Sequence, residues 1–301
     1  MTAILKPVPW SPSGAGARPV PRMSRTLRRF LSNLPAMLGA GFLLVLIVMA
    51  FLSPLVAPYD PNAQDLLQTL QAPSSAHWLG TDRFGRDLFS RLLVGSRVTL
   101  LAGFEGVAVA VLFGVPTGLL AGYIGGRIGF VSNWFSETLM SMPPFVLALA
   151  IIGVRGPGLT NAMLAIGVIL SPRMFRVARA AAMAIRNETY FEAARASGCT
   201  TWRIVWSHVL PNASGPLLVQ ASFAVGLAVL YESALSFLGL GAPVPTASWG
   251  SMIHDAYQAL FKTSLGIFPP SIMIIATVYA FATIGDGMRD ALGRDSRVSD
   301  R

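Results

Sequence analysis

The sequence predicts an all-α membrane protein: six transmembrane helices with both termini on the cytoplasmic side. Three observations carry this. Of 301 residues, 53% are hydrophobic and 12% charged, whereas soluble domains carry about a quarter charged residues; mean hydropathy is +0.58. Charge-free stretches recur near the ~20 residues that a helix needs to cross a bilayer. The basic residues, finally, are gathered rather than spread. Residues 1–33 hold Lys6, Arg18, Arg22, Arg25, Arg28 and Arg29 with no acid, and residues 173–215 hold six arginines against Glu188 and Glu192. Short loops rich in Lys and Arg stay on the cytoplasmic side, and an even number of spans puts both segments and the C-terminus there.

Taken in order, 1–33 reads as a disordered basic cytoplasmic tail, with Pro7–Pro21 rich in Pro, Gly and Ser. Residues 34–56 form the first transmembrane helix, within the charge-free run Phe30–Tyr59. Its apolar core exceeds the 7–15 residues of a signal sequence, so it is expected to remain uncleaved. Residues 57–97 form an extracytoplasmic loop. A core over 98–288 holds five more helices: Gly106–Gly126, entered from about Val98; Thr138–Val154 and Gly156–Pro172, a tight pair; Val209–Tyr231; and Thr263–Gly285. Residues 289–301 are a cytoplasmic tail. Within the core, 186–213 is a cytoplasmic loop.

Several chemistries are excluded or disfavoured. One cysteine, Cys199, leaves no disulfide framework and no Cys-rich metal site. Neither Lys6 nor Lys262 follows a glycine, so the phosphate-gripping P-loop is absent. His77, His208 and His254 lack zinc-ligand spacing, and no metal site is expected. The high net charge of +9 is a topology signal, so no nucleic-acid partner is expected; the lipid bilayer is one.

The loop at 186–213 carries the most specific pattern: Glu192-Ala193-Ala194, then Gly198, then His208, Leu210, Pro211 and Asn212. Small alanines let another backbone approach, and Gly198 can take a positive φ and end a helix. Trp202–Trp206 then gives a second amphipathic turn that Pro211 is expected to stop. A helix, a bend and a second helix would form a knob able to fit a partner's groove.

This pattern resembles the "EAA" loop of permease subunits of ATP-binding-cassette importers. Two further segments resemble the C-type permeases of the dipeptide/oligopeptide (peptide/nickel) branch. The first is Gly80, Thr81, Asp82, Gly85, Arg86, Asp87, Ser90 and Arg91, in the GTDxxGRDxxSR arrangement. The second is Ala234–Gly241 with Gly239 and Gly241, followed by Trp249 and Gly250. The likeness spans about His77 to Asp290. It implies the type I importer permease fold (MetI-like) and a subunit forming half of a translocation pathway for di- or oligopeptides. It also implies a second, homologous permease, two cytoplasmic ATPase subunits or one fused ATPase docked on the EAA loop, and an extracytoplasmic substrate-binding protein. The chain is expected to bind no cofactor and catalyse nothing itself, with ATP and Mg in the partner ATPases. Nickel, glutathione or another small solute are alternative cargoes within the family, and an ion-gradient-driven secondary transporter is an alternative class that leaves the EAA–LPN spacing unexplained.

Glu105 and Glu232 fall in or near spans, where an ionised side chain costs at least about 2.5 kcal/mol unless paired or hydrated. They line the solute path, meet a partner permease, or make structural hydrogen bonds. Arg173, Arg176 and Arg179 are explained by snorkelling to headgroups. Gly114, Gly118, Gly122, Gly125 and Gly126 recur largely at four-residue steps, which suits close helix contact in lipid.

Overall fold

The computed structural model describes residues 22–186 and 198–293. The Glu192-Ala193-Ala194 triplet lies outside them. Helix α1 spans Arg22–Leu31 and α2 Leu34–Val56; α3 is Leu88–Ile124, α4 Gly126–Ser141, α5 Pro144–Arg155 and α6 Leu159–Ile185. After the undescribed stretch come α7 (Thr201–Ile204), a π-helical segment Val205–Val209, α8 (Leu210–Phe237), α9 (Trp249–Gln258) and α10 (Phe268–Gly293). Among the described residues, five helical runs are long and apolar enough to cross a membrane, and α4 with α5, bent by 97°, makes a sixth if the pair counts as one span. The only β-like pairing among the described residues is an isolated bridge between Thr81 and Asp87.

Helix α3 is the centre of the bundle, packed along α6 and also against α8; α10 closes the other side against α8 and α2. The glycine steps explain how close α3 and α6 come. A Cβ on Gly114 would meet the Ser171 carbonyl and Met174, one on Gly118 the Phe175 carbonyl and Ala178, and one on Gly122 the Arg179 carbonyl and Ala182. Small residues let backbones approach where lipid supplies no hydrophobic drive. Leu100, Leu119, Ile166, Leu170, Met174, Val225 and Val229 fill the core between these helices. Large apolar side chains such as Phe51, Leu55, Ile272 and Ile275 stay exposed on α2 and α10, as lipid-facing surfaces do.

Several boundaries differ from the sequence reading. The tail read as disordered over 1–33 contains α1, whose Phe30 packs on Gly287 of α10. The loop read as 57–97 ends ten residues sooner, because Asp87 caps α3 by accepting the Ser90 amide at 2.8 Å. The second span, expected from about Val98, accordingly starts at Leu88. The third, expected straight over Thr138–Val154, is broken between α4 and α5: Pro143 and Pro144 offer no N–H, and each pushes its preceding residue out of helical φ/ψ. The fourth span runs past its expected end at Pro172 as far as Ile185. Ser171 Oγ bonds the Val168 carbonyl at 2.9 Å, the acceptor that Pro172 leaves without its amide.

Pro211 gives the most consequential correction. It stops nothing. Thr201–Phe237 runs as one apolar helical stretch, and the wider turn at Val205–Val209, closed by the Leu210 amide on the Val205 carbonyl, accommodates a ring that would clash with an ordinary turn. The Asn212 amide group donates to the His208 carbonyl at 2.8 Å.

Candidate functional site

Three motif segments far apart in sequence meet at one end of the bundle. In the turn before α3, Asp82 Oδ1 accepts the Phe84 and Arg86 amides at 2.8 and 3.0 Å, and its Oδ2 accepts Arg86 Nε at 2.6 Å. The turn needs Gly85, with φ +72, where a side chain would be driven into the Asp65 carbonyl. Gly80 and Thr81 hold the turn to the preceding loop, Thr81 Oγ1 accepting the Gln71 amide at 2.9 Å and a Cβ on Gly80 meeting the Gln71 carbonyl.

Arg86 then reaches across the bundle, donating from Nη2 to Asp255 Oδ2 of α9 at 2.6 Å, and Arg83 Nη2 donates to the other oxygen of Asp255 at 2.9 Å. Arg91 lies 3.6 Å from Asp82 and 3.9 Å from Asp255 and donates to the Pro61 carbonyl. Arg86 and Arg91 are each 2% exposed. Such burial of charge is tolerable only with counter-charges in place. Asp87 is shared between His77 Nδ1 at 2.9 Å and the Ser90 hydroxyl at 2.7 Å, and Ser90 Oγ accepts the Tyr59 amide. The 57–87 loop is thereby strapped to the start of α3.

A second polar knot centres on α8 and reaches Thr99, further along α3. Glu232 of α8 is 0% exposed. Its carboxyl accepts the Ser236 hydroxyl at 2.7 Å and the Ser233 hydroxyl at 3.4 Å, and Thr99 and Ser248 also hydrogen-bond to it. Thr99 Oγ1 accepts the Trp249 amide, and Trp249 Nε1 donates to the Leu92 carbonyl, both at 3.2 Å. Ser236 Oγ accepts the Ala242 amide at 3.2 Å, with Gly241 tight on Ser236. Gly250 lies against the Ser233 backbone, too close for any side chain. Gly239 turns the chain with φ +77. Of the readings open for Glu232, the structural hydrogen bond is the one that this enclosure by hydroxyls from three elements fits. Glu105 does remain exposed on α3.

At the opposite end of α8 lie the other candidate residues. Gly198 has φ +78, the positive value anticipated for the bend. Thr200 caps α7. Ile204, Val205 and Val209 are buried, while Trp202, His208, Pro211 and Asn212 are exposed and Leu210 is half-buried. One face of this segment is thus anchored and the other presented. Among the described residues, no three His, Cys, Asp or Glu side chains gather as a metal site.

Sequence reading named most of the motif residues; Arg83 and Ser236 lie inside its segments without an assigned role, and Asp255, Thr99 and Ser248 are missed. No local signal marks them, since Asp255 is 169 residues from Arg86 and isolated hydroxyls are uninformative.

A bundle of apolar helices with a polar knot at one end and a half-exposed segment at the other is that of a multi-pass membrane protein. Residues 114–298 match the model of the binding-protein-dependent transport system inner membrane component, and 22–73 that of the N-terminal TM domain of oligopeptide transport permease C. The probable D,D-dipeptide transport system permease protein DdpC of Escherichia coli (strain K12) is 41% identical over 84% of this chain and 85% of its own. The glutathione transport system permease protein GsiD of Pectobacterium atrosepticum is 38% identical, covering 88% of each chain. The oligopeptide transport system permease protein OppC of Bacillus subtilis is 35% identical, over 88% of this chain and 87% of its own. Solved inward-facing conformations of the MetNI methionine ABC transporter share the fold, with a TM-score of 0.56, 21% identity, and 70% of this chain and 97% of theirs covered. The chain belongs to the family of binding-protein-dependent transport system inner membrane components. It is an inner-membrane permease subunit of an ATP-binding-cassette transporter.

Proposed function

We propose that this subunit forms half of an import pathway for di- or oligopeptides and is driven by ATPases that it does not itself contain. In this reading its termini face the cytoplasm. A second, homologous permease completes the pathway. Two ATPase subunits, or one fused ATPase, hold ATP and Mg and seat on the 186–213 loop, and an extracytoplasmic binding protein delivers cargo at the motif end.

The observation that carries the reading is the uninterrupted helix Thr201–Phe237. At 1.5 Å per residue it is about 55 Å long, well beyond the ~30 Å hydrocarbon core. The exposed face of its start over Thr201–Asn212, with the Gly198 turn before it, is the surface offered to the ATPases, and its far end carries Glu232 and Ser236 into the knot that holds α3 and α9. Movement of a seated ATPase is transmitted as movement of this rod and of everything tied to its outer end. ATP supplies the bias, because it binds the closed ATPase dimer better than the open one. Glu105, exposed on α3, is assigned to the path or the partner permease. The peptide cargo rests on the names carried by the relatives, which also include glutathione; that solute is the second reading.

The test is ATP-dependent uptake of a labelled dipeptide by the reconstituted complex. Gly198→Asp or Glu192→Lys is expected to release the ATPases on purification while the chain still inserts. Uptake by this chain alone, driven by a proton or sodium gradient, would falsify the reading.

A further inference from the structure

We propose that the cavity beneath the 239–246 loop is a seat for a carboxylate side chain of the extracytoplasmic binding protein. This rests on the preceding reading, in which that protein docks at the motif end. The cavity, about 180 Å³, is lined by Arg83, Arg86, Arg91, His254 and the carboxylate of Asp255, together with Ala242, Val244 and Thr246. It far exceeds the ~10–15 Å³ that one water needs but falls short of the ~300–1,000 Å³ typical of small-molecule pockets. An inserted side chain suits that size better than a whole peptide does.

Charge specifies the kind of side chain. Three guanidiniums share two carboxylates here, Asp82 and Asp255, so one positive charge is left over, with Arg83 the most exposed of the three. Arg83 Nε is buried and has no hydrogen-bond partner, a donor left waiting for an acceptor. The guanidiniums of Arg83 and Arg86 both lie over the Phe84 ring, 4.5 Å from its centroid. This fixes two long side chains in advance and lowers the entropy cost of receiving an anion. Pro243, Val244 and Pro245 form an exposed rim, with Val244 at 89%, that an incoming surface meets first.

The test uses the full transporter in nanodiscs and its purified cognate binding protein, with affinity read by surface plasmon resonance. Arg83→Gln is expected to weaken association about tenfold or more and to flatten its salt dependence, whereas Arg83→Lys retains most of the affinity. Thr246→Trp, which fills the cavity and leaves every arginine in place, is expected to weaken association as well. Co-purification with the other subunits verifies assembly, and if Arg83→Gln fails to assemble, Thr246→Trp carries the test. Wild-type affinity in Arg83→Gln or Thr246→Trp overturns the proposal; if peptide uptake alone falls, the carboxylate belongs to the cargo. A wild-type complex that never associates with the binding protein overturns the parent reading with it.

Discussion

Asp82 shows how much one carboxylate can hold. It receives two backbone amides and Arg86, and it faces Arg91. Asp82→Ala would leave two nearly inaccessible guanidiniums short of a counter-charge, and breaking a buried pair from one side costs about 3–5 kcal/mol. The expected result is a sharply lower yield of folded protein and a lower melting temperature by scanning fluorimetry. Glu232 makes a different forecast. Glu232→Gln keeps a side chain of the same reach with an acceptor oxygen and should melt close to wild type. Glu232→Leu strands the Ser236 and Ser233 hydroxyls and should cost about 1–3 kcal/mol, read in the same assay. Near-wild-type stability of the leucine variant would show that the knot is not what holds α8 to α9. At this scale the sequence was half legible: Asp82 and Arg86 lie four apart on one turn, but their shared partner Asp255 is brought to them only by the fold.

Among the elements, the α3–α6 seam is the most demanding contact. Gly118→Val is expected to destabilise the bundle by about 1–3 kcal/mol, because the added carbons meet a carbonyl and Ala178 rather than space. Gly41→Ala on α2 has nothing within 4 Å of the new carbon and should leave stability unchanged or raise it by up to about 1 kcal/mol. Comparing the two melting temperatures separates close packing from mere glycine content. The four-residue glycine spacing made this seam readable in advance. The 97° break between α4 and α5 was not, because hydropathy averages smoothly across Pro143 and Pro144. Pro211 misled in the opposite direction. Its power to end a helix is a local rule, and the wider turn that absorbs its ring has no compositional mark.

For the molecule as a whole, composition and the clustering of arginines were enough to indicate a helical membrane protein, and motif spacing was enough to indicate its family. Both are properties of the entire chain and survive errors at individual borders. The tertiary joining of the GTDxxGRD turn, the 234–241 segment and Trp249 into one body was hidden, since spacing along a chain says nothing about distance across a bundle. The expected loss of ATPases in Gly198→Asp belongs to this scale too, because it tests the proposed docking between subunits rather than any bond within this chain.

A rod with no joint has no lag. Since Thr201–Phe237 is continuous through its wide turn, displacement at Trp202 and displacement at Leu238 are one motion. Spectroscopic labels at these two exposed positions are expected to relax with a single shared rate constant after ATP is added, and two separable rates would mean that the turn yields under load. On the proposed coupling, a single shared rate would make stroke and gate one kinetic event.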